Sequence, residues 1–400
     1  MKRIAALLPL TLAACGGSAI AFPPDGGEWP AAPVPSWSAQ PRLVVPDIAD
    51  DTLAFVSVDL PTPHLYALAP VGDIPVEIEG PHDVAGSADG SLLYVVLSNY
   101  APQSGTGPHG AHGLGTVPSS LIKLRALDLV KLGEVQLAKN AAEMLLSDDG
   151  RTAYVSHFDL LTLQTQVAKG LPAADGLSSI AIVDTATMQR ELIPVCPTTH
   201  DLELSADGKT LYATCSESDE IAIIDLPTRA VRRVAVGPAP GAILHPAYYP
   251  YAILRAPADG SLWISCNVSG DLRVYDPVSG QMDPARTVFL NGVPMFGAFL
   301  SDGKTLVMPH QGDDRISIVD TSISKEVDHI ALPAGVCLNV RNTQLLDDHT
   351  AWVTCEGDHV TRPGSVVALD LNAHVALGAV EVGLFPNAMT LLPPAPPNGM

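Results

Sequence analysis

The stretch Ser205-Ala206-Asp207-Gly208-Lys209-Thr210-Leu211-Tyr212-Ala213-Thr214-Cys215, followed by Ile221-Ala222-Ile223-Ile224-Asp225, is the clearest of six copies of one phrase in this 400-residue chain. A small-residue run leads into an Asp-Gly turn, a β-rich strand follows, and an alternating apolar run then ends in Asp. The other turns fall at Asp89-Gly90, Asp149-Gly150, Asp259-Gly260, Asp302-Gly303 and, in degenerate form, Asp347-Asp348. Behind them come strand cores such as Leu93-Tyr94-Val95-Val96, Ala153-Tyr154-Val155-Ser156, Leu262-Trp263-Ile264-Ser265 and Ala351-Trp352-Val353-Thr354. Asp-Gly supplies the positive φ angles of a tight hairpin, so each turn predicts a corner between two strands. The closing residues Asp128, Asp184, Asp225, Asp276, Asp320 and Asp370 can bond the backbone ahead of them and start the turn into a fourth strand.

Four strands in roughly 40–50 residues is the spacing of propeller blades, and no helical period runs through the repeat. A unit of this size cannot bury its apolar faces alone and must stack on its neighbours. A weaker seventh unit precedes the six, read as Thr52–Ser57, His64–Leu68 and Ile74–Ile78, without a first strand of its own. Phe385–Leu392 reads as a first strand without a blade. Joined, the two fragments close the ring and remove an exposed sheet edge. The expected fold is all-β, a seven-bladed propeller of four-stranded antiparallel blades closed by the C-terminal strand.

The repeat resembles the YVTN family of bacterial β-propellers, whose blades read Pro-x-x-ϕ-x-x-ϕ-Ser-x-Asp-Gly-x-x-ϕ-Tyr-Val-x-Asn before an alternating run ending in Asp. Pro81-His82-Asp83-Val84 leading to Asp89-Gly90 and Tyr94-Val95 follows that pattern, as does His200 to Asp225. The resemblance covers residues 42–392 and implies fold more than function, because such rings serve as platforms, scaffolds and enzymes alike. Where the family carries Asn after the Tyr-Val-x strand, this chain has Cys or His.

Met1-Lys2-Arg3, the apolar run Ile4 to Leu12 and Leu12-Ala13-Ala14-Cys15-Gly16 read as a secretory signal too short to span a bilayer as a resident helix. Cys15 at the cleavage point resembles a lipoprotein lipobox, which implies acylation of Cys15 and an anchor of two or more chains. Gly16 after it implies, by the same resemblance, the outer membrane. The expected organisation is a signal over 1–15, a Gly-, Pro- and Ala-rich tether over 16–41, the propeller over 42–392 and a tail over 393–400. With 43 acidic against 22 basic residues the formal net charge is −21, which disfavours nucleic acid and anionic headgroups. Membrane contact is therefore expected through the lipid anchor only.

Cys196 and Cys215 are separated by 19 positions, Cys337 and Cys355 by 18, and each pair joins the approach to a first strand with the end of a second strand. Those two places lie side by side on one face of an up-and-down sheet, so in an oxidising compartment disulfides Cys196–Cys215 and Cys337–Cys355 are expected, with Cys266 a free thiol. An alternative starts from the same positions. Aligning the second strands places Val58, Leu97, His157, Cys215, Cys266, His310 and Cys355 at equivalent sites around one mouth of the channel, with His82 and His200 facing the same rim. His82, His157, His200, Cys266 and His310 are then candidate ligands for copper or zinc in an extracytoplasmic oxidoreductase or metal-binding protein. No close-spaced ligand pair anchors such a site, and no cofactor is expected on the disulfide reading.

Gly105-x-Gly107-x-x-Gly110 matches a dinucleotide fingerprint by letters only, since no helix follows to hold a pyrophosphate. The same loop carries His109 and His112, and residues 158–177 form a second insertion at the matching point of the next blade. Tyr248, Tyr249 and Tyr251 offer stacking surfaces in blade five. No nucleophile elbow, His-Glu-x-x-His, phosphate loop or haem motif is present. The expectation is a binding or scaffold module for a protein or small-molecule ligand that works through the insertion face, where loops on a rigid frame carry recognition.

Overall fold

A computed structural model of the chain describes residues 39–71, 80–99, 113–333 and 335–394. Seven antiparallel sheets, each with four strand positions, follow one another along the chain. Blade I holds Thr390–Leu392, Arg42–Asp47, Thr52–Ser57 and Leu65–Pro70, from the axis outward. Blade II holds Pro81–Gly86, Leu92–Leu97, Pro118–Arg125 and Lys131–Lys139, and blade III Ala141–Leu146, Thr152–His157, Ser178–Asp184 and Gln189–Cys196. Blade IV holds Thr199–Leu204, Thr210–Cys215, Glu220–Asp225 and Ala230–Ala235. In blade V, Pro250–Arg255, Leu262–Cys266 and Asp271–Asp276 are followed by an outer strand broken into Gln281–Met282 and Val288–Phe289. In blade VI the inner strand is the broken one, Val293–Pro294 and Ala298–Phe299, ahead of Thr305–Gln311, Arg315–Asp320 and Lys325–Ala331. Blade VII holds Val340–Leu345, Thr350–Cys355, Ser365–Asp370 and Val375–Glu381.

The turn chemistry of the repeat explains the blades. Gly90, Gly150, Gly208, Gly260 and Gly303 all sit at φ between +66° and +73°. Beside them the carboxylates of Asp89, Asp149 and Asp207 accept the hydroxyls of Ser87, Ser147 and Ser205. At the other corner Asp184, Asp225, Asp276, Asp320 and Asp370 accept backbone N–H groups two or three residues ahead. The hydroxyls of Thr228, Ser279 and Ser322 chiefly hold Asp225, Asp276 and Asp320 below their ordinary pKa, and the backbone bonds do so for Asp184 and Asp370. These bonds also hold Met188, Arg229, Ser324 and His374 in the left-handed region.

Burial lies between blades. Seven apolar clusters each join residues of two adjacent blades, such as Phe55 with Val95, Trp263 with Met308, and Trp352 with Leu43. The ring closes on itself: Thr390–Leu392 pairs antiparallel with Arg42–Val44, and Asp47 bridges Pro386. The first blade differs from the sequence reading by one strand. Its second strand is Arg42–Asp47, Thr52–Ser57 is the third and Leu65–Pro70 the outermost, while Ile74–Ile78 lies outside the described residues. The residue equivalent to Leu97 and His157 in blade I is accordingly Asp47, not Val58.

Both expected disulfides are present. Cys196–Cys215 has a Cα separation of 5.9 Å and Cys337–Cys355 one of 5.2 Å, and Cys266 is a buried free thiol. The first ties the end of blade III to the second strand of blade IV, and the second ties the connection out of blade VI to blade VII. Cys15 and the tether residues 16–38 lie outside the described residues, as do His109 and His112.

Candidate functional site

The inner strands share one irregularity. Just after four of them begin, the register slips and two residues leave the pairing: Ala142-Glu143 in blade III, His200-Asp201 in IV, Tyr251-Ala252 in V and Arg341-Asn342 in VII; in blade II His82 alone leaves it. A hydroxyl from the second strand fills each of the four wider gaps. Ser156, Thr214, Ser265 and Thr354 accept the N–H groups of Glu143, Asp201, Ala252 and Asn342 at 2.9–3.1 Å. With the backbone satisfied in this way, the bulge side chains are turned into the channel at the end that carries the loops between second and third strands.

Arg341 spans that channel. Its guanidinium donates from Nη2 to Glu143 Oε1 of blade III at 2.9 Å, and from Nη1 to the Tyr251 hydroxyl of blade V at 2.7 Å. Nη1 also lies 3.3 Å from Glu356 Oε1, and the cation sits 4.9 Å from the Phe296 ring centre. Glu356 Oε2 takes the Gln311 amide at 3.1 Å and lies 2.9 Å from His359 Nε2, whose ring stacks on Phe385 at 3.7 Å. His200 stacks on Tyr251 at 4.0 Å and approaches Glu143 to 3.9 Å. All of these polar side chains are buried. Burial raises the carboxyl of Glu143 to about 7, against the opposing pull of Arg341. Asp83 and Asp201 are pushed well above the carboxylate range, first by burial and then by the Glu143 charge. Each nonetheless accepts an N–H from the next blade, Met144 and Ile253 respectively, so they join blades as well as lining the channel.

The candidate metal ligands of the sequence reading do not converge. His157 is enclosed between strands, with Nδ1 bonded to the Ser179 carbonyl and Nε2 accepting the Ala138 N–H. His310 lies 2.6 Å from Ser317 Oγ and 3.5 Å from Asp313. Burial lowers both histidines to about 4. Cys266 belongs to the apolar cluster between blades IV and V, where burial raises its thiol pKa. Cys215 and Cys355 are spent in the disulfides. His82 lies against the Ala142 carbonyl and Asn387, and His200 alone of the five joins the axial cluster. Among the described residues no group of three His, Cys, Asp or Glu side chains is disposed to hold a metal ion. Glu143, Arg341, Glu356 and Gln311 escaped the sequence reading. The signal was a charged pair breaking the first strand, visible in His82-Asp83 and again in His200-Asp201.

The two insertions meet above this cluster. Asp159 caps helix α1, Leu160–Ala168, by accepting the Thr162 N–H, and also takes the Asn140 amide at 3.1 Å. The Leu161 N–H donates to the Gly113 carbonyl at 2.8 Å, which docks the described end of the blade II insertion onto that of blade III. Gly113 has φ +86°, and a Cβ there would collide with Phe158. Phe158 in turn meets the His200 ring edge-on at 5.5 Å, so the insertions rest on the channel cluster.

No family model matches this sequence, and no curated protein matches it. Solved structures do. The periplasmic gluconolactonase of Pseudomonas aeruginosa superposes with a TM-score of 0.62 at 18% identity, over 88% of this chain and 99% of that one. A putative 6-phosphogluconolactonase from Bacteroides uniformis gives 0.61 at 13% identity over 88% and 99%, and a functionally unknown protein from Desulfotomaculum acetoxidans 0.62 at 10% over the same shares. At these identities the likeness is one of fold, and it agrees with the sheet order in making this chain a seven-bladed β-propeller.

Proposed function

We propose that the chain is an exported propeller of YVTN type, anchored through Cys15 at the outer membrane, that works as a binding module for a protein partner on its insertion face. The observation that carries this reading is the placement of exposed apolar side chains. Val117, Val167, Leu171, Val268 and Val360 are 41–59% exposed, and all lie in connections between second and third strands, hence at one end of the ring. They come from blades II, III, V and VII. Of the eleven large apolar side chains most exposed among the described residues, these five share one end, while Val278 and Ile323 lie at the opposite end and Leu132, Phe289, Val327 and Val375 on outer strands. On a molecule of net charge −21, the five suit an apolar contact with a basic rim. Val167→Glu combined with Leu171→Glu, both on or beside α1, tests it by cross-linking in intact cells. Loss of the wild-type adducts with both disulfides retained supports the reading, and an unchanged adduct pattern rejects it.

A second reading has one observation in its favour. Glu143, held near neutrality beside Arg341 and His200, has the pKa that proton transfer at pH 7 requires, and two of the structural neighbours are named as lactonases. Hydrolysis of an aldonolactone that is abolished in Glu143→Gln would move the function to that site.

A further inference from the structure

We infer that the channel mouth between blades V, VI and VII is a binding site for a small organic cation with N–H donors, a primary ammonium compound. The site lies inside the apolar rim and does not depend on the docking role proposed above. Its evidence is a pair of acceptors left waiting. Asn267 and Glu356 each stand one residue past the ladder partner of the inner strand, and Gln311, in the blade between them, ends its second strand paired with Val293. The bond from Gln311 Nε2 to Glu356 Oε2 shows that such side chains face one another across a blade boundary. Yet Gln311 Oε1 and Asn267 Oδ1 have no hydrogen-bond partner, although the residues are only 2% and 8% exposed. The amide nitrogen of Asn267 meets nothing better than the Met295 thioether, at 3.7 Å. A buried acceptor without a donor costs about 1–3 kcal/mol, and native proteins keep few of them without a use.

Two carbonyl oxygens call for a ligand that donates. Hydroxyls and ammonium groups both do so, and the local charge decides between them. Above about pH 7, where Glu143 ionises, Glu143 and Glu356 share the guanidinium of Arg341, so a further positive charge balances the cluster where a neutral polyol leaves it unchanged. Phe296, at 9% exposure, presents an aromatic face that already accepts one cation at 4.9 Å. The acidic molecule as a whole concentrates cations at its surface.

The test is isothermal titration of the full-length protein with ammonium chloride, methylammonium chloride and 1,4-diaminobutane, with glycerol, glucono-1,5-lactone and calcium chloride as comparison ligands. Saturable binding of an amine is expected, weakened at least tenfold in Asn267→Leu and in Gln311→Met. Asn267→Leu also serves as the control for folding. It removes an unpartnered acceptor and only a weak contact to sulfur, so its melting temperature should equal or exceed that of the wild type. Binding of the lactone, glycerol or calcium without any amine overturns the inference, as does amine binding that survives both substitutions. A melting temperature several degrees lower in Asn267→Leu assigns the amide to packing and also overturns it. The Val167 and Leu171 variants leave this titration unchanged, which keeps failure here separate from failure of the docking role.

Discussion

Arg341→Met keeps much of the side-chain volume and deletes the charge that joins blade VII to blades III and V. In the wild type, burial raises the Glu143 carboxyl from its ordinary 4.5 to about 7. An acid whose pKa rises on folding adds no penalty below its unfolded value, and stability is lost as the pH climbs from 4.5 through about 7. At about 1.4 kcal/mol per pH unit, that loss comes to roughly 3 kcal/mol. Without Arg341 the largest opposing pull is gone and only the hydrogen bond with Asp83 still lowers the carboxyl, so its pKa moves higher and the loss continues beyond pH 7. At pH 5 Glu143 is protonated in both proteins, and the substitution costs only the bonds to Tyr251 and Glu356, about 1–3 kcal/mol. At pH 8 it also strands a buried charge, for a total of about 3–5 kcal/mol. Urea midpoints at the two pH values, with the disulfides intact, measure the difference, and adding Glu143→Gln to the variant should recover the excess at pH 8. An equal loss at both pH values, or a loss below about 1 kcal/mol at pH 8, would refute the coupling of Arg341 to Glu143.

Thiol titration of denatured, unreduced protein lacking Cys15 should find Cys266 alone; five thiols would mean that neither bridge forms. Removing Cys337–Cys355 by double alanine substitution should cost about 3 kcal/mol in chemical unfolding, and an unchanged midpoint would contradict the assigned role. His157 titrates at about 4 in the fold against 6.5 outside it, so the unfolded chain takes its proton first and stability falls as the pH drops through that window. His157→Gln should therefore lose less stability between pH 7 and pH 5 than the wild type does, and an equal or larger loss would be the contrary result. Truncation after Gly383 removes the strand that pairs with Arg42–Val44 and should give self-associating protein by size-exclusion chromatography, whereas a stable monomer would show that closure is dispensable.

The blades could be read because their corners are written locally. An Asp-Gly pair, or an Asp that bonds the backbone ahead of it, marks a turn whatever the rest of the chain does. Blade I was misread by one strand for the same reason. Arg42–Asp47 reaches its neighbour through Asp51 at φ +52°, without an Asp-Gly pair to announce the turn. Matched cysteine spacing translated into the two bridges because strand length fixes which ends lie side by side. The axial cluster was hidden, since Glu143, Tyr251, Arg341 and Glu356 are far apart in sequence and meet only once the ring closes. Histidine at the end of a second strand was a poor guide to ligands: His157 and His310 are turned between strands, where hydrogen bonds to Ser179 and Ser317 use them.

The hydroxyls of Ser156, Thr214, Ser265 and Thr354 separate two tasks that most strands combine. Because they complete the backbone bonding at each bulge, the residues displaced there take no part in holding their own blade together. Each bulge thus acts as a socket whose occupant can be exchanged for a new specificity while the wall around it stays intact. Exchange is constrained at blade boundaries, as where Asp201 accepts the Ile253 N–H, and across the axis, where a new charge must find its counterpart on another blade, as Arg341 finds Glu143. A ring of this kind acquires new ligands by paired substitutions on opposite walls, and a library that varies positions 143, 251 and 341 together explores that space without touching the seven cores between the blades.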